Sequence, residues 1–214
     1  MSLATLLVLA DGRLPAGGHA HSGGLEAAVA SGRIRDVEDV SGFLRGRLAT
    51  SGLVSAAFAA VACAGTRDWS SLDAGLDART PSPALRRASR AQGRALMRAG
   101  RAMWAVPAIG RDPHHPVALG TLAAAAGLGP LEAAVAAAHQ TVTGPASAAV
   151  RLLGLDPYAV HALLAGLAPE IDRIAANAAA RTGDPVDALP AAGAPLLDIG
   201  AELHATWEVR LFAS

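Results

Sequence analysis

Seven histidines, one cysteine and a set of arginines are the side chains in this 214-residue chain with chemistry to offer. His19 and His21 stand two apart in His19-Ala20-His21. Neutral imidazole ligates nickel, zinc or copper, and two rings at this spacing share an ion only on looped or extended backbone. Two ligands do not close a site, and the nearest carboxylates in sequence are Asp11 and Glu26. The competing reading is a pair of loop histidines bonded to local backbone. His114 and His115, between Pro113 and Pro116, read as surface loop. Cys63 lies in an apolar, alanine-rich stretch, where a thiol is inert. A single cysteine excludes an intrachain disulfide. No G-x-S-x-G elbow, P-loop, G-x-G-x-x-G or H-E-x-x-H occurs, and no carboxylate pair marks a cleft. Single motifs therefore give no catalytic constellation.

Arg86, Arg90, Arg94 and Arg98 follow one another at i, i+4, and Arg101 follows at i+3. On a helix they line one face. Leu85, Ala88, Ala95, Leu96, Ala99 and Met103 fall largely on the other. Like charges at this spacing cost a few tenths of a kcal/mol each. Asp73 and Asp77, or an acidic partner protein, are expected to answer them. No aromatic residue interleaves the stripe, which counts against nucleic acid. So does the balance of 18 acidic and 18 basic residues, because phosphate binding needs a basic excess. Ser89 and Gly93 form a small-residue pair that permits tight helix packing.

The segment Leu14-Pro15-Ala16-Gly17-Gly18-His19-Ala20-His21-Ser22-Gly23-Gly24-Leu25-Glu26 carries two Gly-Gly pairs. At least one of these four glycines is expected at positive φ. A phosphate cradle at the N-terminus of the following helix is one reading. The Lys and Ser/Thr of a P-loop are missing, and a shaped surface for a protein partner fits equally well.

The elements that position these residues read as helices throughout. Hydrophobic residues make up 52% and charged residues 17%, so disorder is not expected. No segment alternates apolar and polar residues as a half-buried strand would. Helices are expected at 3–10, 25–31, 37–50, 53–64, 71–78, 83–106, 117–126, 131–153, 157–181 and 195–207. Asp36, Ser82 and Asp156 serve as caps, the last two followed by proline. Residues 11–24, 107–116 and 183–195 read as loops. The uncharged stretch 48–66 has the length of a membrane span, but it is mostly Ala, Ser, Gly and Thr and reads as a buried helix. Residues 1–10 lack the positive n-region and small-residue cleavage site of a signal peptide. The result is an all-α, single-domain bundle of about eight to ten helices, in which alanine permits close helix approach.

Four blocks, in order, resemble the UreF family of urease accessory proteins. The first is Asp11-Gly12-Arg13-Leu14-Pro15-Ala16-Gly17-Gly18 with Ser22-Gly23-Gly24-Leu25-Glu26. The second is Leu85-Arg86-Arg87-Ala88-Ser89 with Gly93-Arg94. The third is His115-Pro116-Val117-Ala118-Leu119-Gly120. The fourth is Arg210-Leu211-Phe212-Ala213-Ser214, preceded by Pro195-Leu196-Leu197-Asp198-Ile199 and His204. Gly12 stands where the family often has serine, and His19 where an aromatic is common. The resemblance implies a cytoplasmic, non-enzymatic, dimeric scaffold. It would bridge UreD (also called UreH) and the nickel-carrying GTPase UreG on apo-urease, with nickel handled by the assembled complex and no tightly bound cofactor. It implies mobile segments at about 1–10 and 208–214 that order on binding UreD. Its implied partner-binding residues are Leu14, Pro15, Gly17, Gly18, Ser22, Gly23, Gly24, Glu26, Arg87, Ser89, Gly93, Arg94, Arg210, Leu211, Phe212 and Ser214. Two alternatives remain: a nickel-binding metallochaperone using His19 and His21 with His114 or His115, and a regulator that completes the nucleotide site of UreG with an arginine of the stripe.

Overall fold

Local chemistry starts most of the helices. Asp36, Asp68, Ser82 and Asp156 each accept a backbone N–H of the first turn that they open. Proline stands in the first turn wherever a missing donor costs nothing. In this computed structural model, which describes residues 2–213, the helices are α1 (Leu3–Ala10), α2 (Leu25–Ala30), α3 (Val37–Arg47), α4 (Leu53–Ala64), α5 (Trp69–Arg79), α6 (Pro83–Arg101), α7 (His115–Ala125), α8 (Pro130–Leu153), α9 (Pro157–Ala179) and α10 (Pro195–Ala205). No strand occurs among the described residues, so the all-α expectation holds.

Boundaries differ from the sequence reading by up to several residues, and three of the differences have a clear backbone reason. α3 does not stop near Thr50. It runs through a π-helical stretch, Leu48–Gly52, directly into α4. The hydroxyls of Thr50 and Ser51 donate to the carbonyls of Gly46 and Arg47, so the wider turn leaves fewer acceptors unmet. α6 ends at Arg101 rather than near Val106, because the N–H groups of Met103 and Trp104 both turn back onto the Gly100 carbonyl. α5 extends from Trp69 to Arg79, longer than 71–78, because Asp68 caps it two residues earlier.

Alanine-rich faces carry the core. α4 packs against α7, α8 and α9, and α8 packs against α9. One core cluster joins Leu25, Leu44, Leu48, Ala138, Val142, Leu167, Ile174 and Phe212. A second joins Leu9, Phe58, Leu72, Leu96, Val117, Leu119, Leu122 and Ala136. α4 and α8 contribute to both. The continuous rod Val37–Ala64 is long and apolar enough to cross a membrane by length and composition. Its residues Ala56 to Val61 are fully buried in the bundle, as the sequence reading expected for this stretch.

Candidate functional site

The four sequence blocks pair in space, the first with the fourth and the second with the third. In the first block the chain turns through a short 3-10 turn, Gly18–Ala20, before α2. Gly17, Gly23 and Gly24 take positive φ of 76°, 59° and 89°, which meets the expectation for this loop. Gly23 is also sterically enclosed: a Cβ there would fall 2.9 Å from Pro145 Cγ and 3.1 Å from the Arg47 guanidinium carbon. Leu14 tucks its side chain against the second core cluster, while Pro15 and Gly18 are exposed. Ser22 is fully buried and accepts the Glu26 N–H at 3.3 Å.

Glu26 fastens the fourth block to this loop. Its carboxylate accepts the Leu211 N–H at 2.9 Å and the Phe212 N–H at 3.1 Å, and it lies 2.8 Å from His204 Nε2. Both Glu26 and His204 are buried. The Ala213 N–H donates to the Ala20 carbonyl at 2.7 Å. Phe212 is 7% exposed and enters the first core cluster, whereas Val209 and Leu211 point outward. Arg210 is exposed, and Ser214 lies outside the described residues. Upstream of the tail, α10 leaves Leu196, Ile199 and Leu203 exposed at i, i+3, i+7. That spacing forms one apolar stripe.

The second and third blocks close on each other across α6 and the start of α7. Gly93 has no Cβ because the Pro113 carbonyl oxygen would lie 2.1 Å from it. Ser89 Oγ accepts the His115 N–H at 3.1 Å and sits 3.0 Å from His114 Nδ1. His114 Nε2 lies 2.9 Å from Asp77 Oδ1, and the His114 N–H donates to Asp73. The expectation of a surface loop at His114-His115 is therefore wrong for both residues: His114 is 1% exposed and His115 half-buried. Gly93 admits the backbone, and Asp73, Asp77 and Ser89 supply the polar partners that let His114 be buried. Burial pushes the His114 pKa down, only partly offset by the bond to Asp77. The ring is neutral at pH 7, with Nε2–H donating to Asp77.

Arg86, Arg90 and Arg94 of the stripe are answered by carboxylates within the fold, while Arg98 and Arg101 are exposed. Arg90 reaches Asp73 and Asp77 at 2.7 Å each, and Arg94 reaches Asp112 at 3.0 Å. Arg87 is exposed and adds positive charge near Glu202. Asp73, Asp77 and His114 form the one group of three potential ligands within 4.8 Å of one another among the described residues. The Arg90 guanidinium already supplies its positive charge.

His19 and His21 instead line a cavity of about 1370 Å³, together with His115 and His139. The sequence reading offered His114 or His115 as a partner for the first two; His115 arrives from α7, and His139, which it did not name, from α8. Burial, reinforced by the neighbouring histidines, lowers the pKa of His21 and pushes that of His115 down to about 4; burial alone lowers His139. Unfolding frees these rings to protonate near 6.5. The native state then binds fewer protons than the unfolded one, so this contribution is complete above pH 6.5 and is lost as pH falls toward 4. Denaturant titrations between pH 7.5 and 4.5 are expected to show stability falling in this window, and His115→Gln is expected to flatten the slope. Cys63 is buried, donates to the Leu128 carbonyl, and has its thiol pushed up to about 11 chiefly by burial, consistent with an inert thiol.

Sequence reasoning missed Arg47. Pro145 inside α8 has no N–H, so the Thr141 carbonyl four residues earlier loses its helical donor. Arg47 Nε supplies one at 3.2 Å, and Nη1 donates to the Gly23 carbonyl. The internal proline was the available signal, but nothing local names the donor.

Comparison with known proteins covers the same blocks. The UreF family model matches residues 34–168. The chain is 50% identical to the urease accessory protein UreF of Mycobacterium sp. (strain JLS), over 100% of this chain and 99% of that protein. It is 47% identical to the UreF of Mycolicibacterium vanbaalenii and 41% identical to that of Mycobacterium tuberculosis (strain H37Rv), again over 100% of this chain and 99% of each relative. These full-length matches include the glycine loop and the tail, which the family match leaves out. With its helical fold and its four blocks in order, the chain belongs to the UreF family of urease accessory proteins.

Proposed function

We propose that this chain is a non-catalytic scaffold of urease maturation, a cytoplasmic homodimer that bridges UreD (UreH) and the GTPase UreG on apo-urease. Nickel is cargo of the assembled complex. The observation that carries this reading is the docked tail. Glu26 holds backbone N–H groups of the tail on the glycine loop, while Val209, Leu211 and the α10 stripe face outward without apolar cover. Exposed apolar side chains beside a fixed backbone are the material of a protein interface. Co-expression with UreD and UreG followed by size-exclusion chromatography is expected to give one co-eluting complex. Deletion of 210–214, or Phe212→Ala, is expected to weaken UreD retention while helical content stays intact. Full retention of UreD by the truncated chain overturns the assignment of the tail.

A second reading, a nickel-binding metallochaperone, has one observation in its favour: His19, His21, His115 and His139 line one cavity, with neutral rings favoured by burial at three of them. Calorimetry with Ni²⁺ on the isolated chain separates the two, because a scaffold alone takes up no metal at micromolar concentration. The GTPase-activating reading loses Arg90, which two carboxylates hold in place.

A further inference from the structure

We propose that Arg47 is a receptor for a small carboxylate-type oxyanion, gripped in the large cavity by the guanidinium edge that the fold leaves unpaired. The head is fixed before any ligand arrives. Nε is held by the Thr141 carbonyl and Nη1 by the Gly23 carbonyl. Gly23 presses on one side, and the Phe43 ring lies 6.0 Å from the guanidinium carbon. These contacts use two of the five N–H donors of a guanidinium. The other three have no partner among the described residues. Both contacts are to neutral carbonyls, and no carboxylate forms an ion pair with Arg47 among the described residues. Arg47 is half-buried, and burial pushes its pKa down to about 10, so it stays charged at neutral pH.

A half-buried charge without a counter-charge favours an anionic partner, and a planar fork matches a carboxylate with two parallel bonds. The cavity offers no internal substitute. Its two acidic lining residues are engaged elsewhere: Asp11 pairs with Arg13, and Asp198 accepts the Ser82 N–H. Beside them the lining holds four arginines, Arg47 among them, and six histidines, an environment that favours an anion over a cation. Arg79 cannot serve in place of Arg47, because carbonyls of Gly75, Val186, Leu189 and Pro190 surround its guanidinium. The site stands whether or not the chain is a scaffold.

The test uses the full chain and sodium formate as the probe, with sodium chloride at equal ionic strength as the control. Nitrogen-15 NMR follows the Arg47 Nε–H directly. A saturable shift in the millimolar range with formate and not with chloride supports the site. Loss of charge-assisted bonds to a charged group is expected to weaken binding by about tenfold or more. Formate response at the His21 and His139 rings should therefore fall by that factor in Arg47→Met and less in Arg47→Lys. No saturable shift of Nε–H in the wild-type chain, an equal response to chloride, or an unchanged formate response in Arg47→Met each overturns it. The wild-type measurement decides the matter if the variants fail to fold.

Discussion

Glu26→Ala is expected to release the C-terminal tail and to lower stability by about 2–4 kcal/mol. Three groups lose their acceptor together: the Leu211 and Phe212 N–H groups and His204. A buried donor left unpaired costs about 1–3 kcal/mol. The tail can escape that penalty by undocking into water, but it then gives up the burial of Phe212, about 1.5–3 kcal/mol. His204 cannot leave so easily. It is buried on α10 with its ring 4.8 Å from that of Trp207, so part of the cost stays. The two routes share one contact set, so their costs do not add fully. Amide exchange should show the loss as a fall in protection at Phe212 and Leu211, with the α4, α7 and α8 amides near their original rates. Phe212→Ala in the Glu26→Ala background should cost much less than Phe212→Ala alone. Unchanged protection at Phe212, or full additivity of the two substitutions, would show that Glu26 does not hold the tail.

Gly120→Ala and Gly166→Ala are expected to act in opposite directions, although both replace a helical glycine. Alanine in a helix interior gains about 0.8–1 kcal/mol over glycine. At Gly166 of α9 nothing lies within 4 Å of the added carbon, so the gain stands alone. At Gly120 of α7 the added carbon would sit 2.2 Å from the Ala59 carbonyl oxygen and 2.8 Å from the Ala62 Cβ. That oxygen belongs to the α4 backbone, so relief means driving two core helices apart. Overpacking of this kind costs about 1–3 kcal/mol or more, and here it also opens contacts along the whole helix pair. The clash outweighs the propensity. Denaturant midpoints should fall for Gly120→Ala and rise for Gly166→Ala. A rise in both would mean that α4 and α7 are loose enough to yield.

The helices were legible because their signals are local. Asp36, Ser82 and Asp156 stand beside the turns they cap, and proline marks five of the first turns that follow a loop. The answer to the arginine stripe was legible too, since like charges on one face demand carboxylates and Asp73 and Asp77 were the nearest in the chain. His114 and His115 were misjudged for the opposite reason. Their flanking prolines speak of a loop, while their burial depends on Gly93 and Ser89 of a different helix. Arg47 carried no local sign, because its acceptor was created by a proline far along the chain.

By itself, then, the amino-acid order determined an alanine-rich set of helices, where most of them begin, a glycine loop that needs left-handed backbone, and four blocks of one family. Only the tertiary structure decided that the first block receives the last and the second receives the third. The bonds that join Glu26 to His204 and Phe212 span 178 and 186 positions. A capping residue or an apolar repeat acts through neighbours within a few residues, so its effect is written into adjacent letters. A carboxylate that waits for N–H groups from the far end of the chain looks like any other until packing brings them within 3.1 Å.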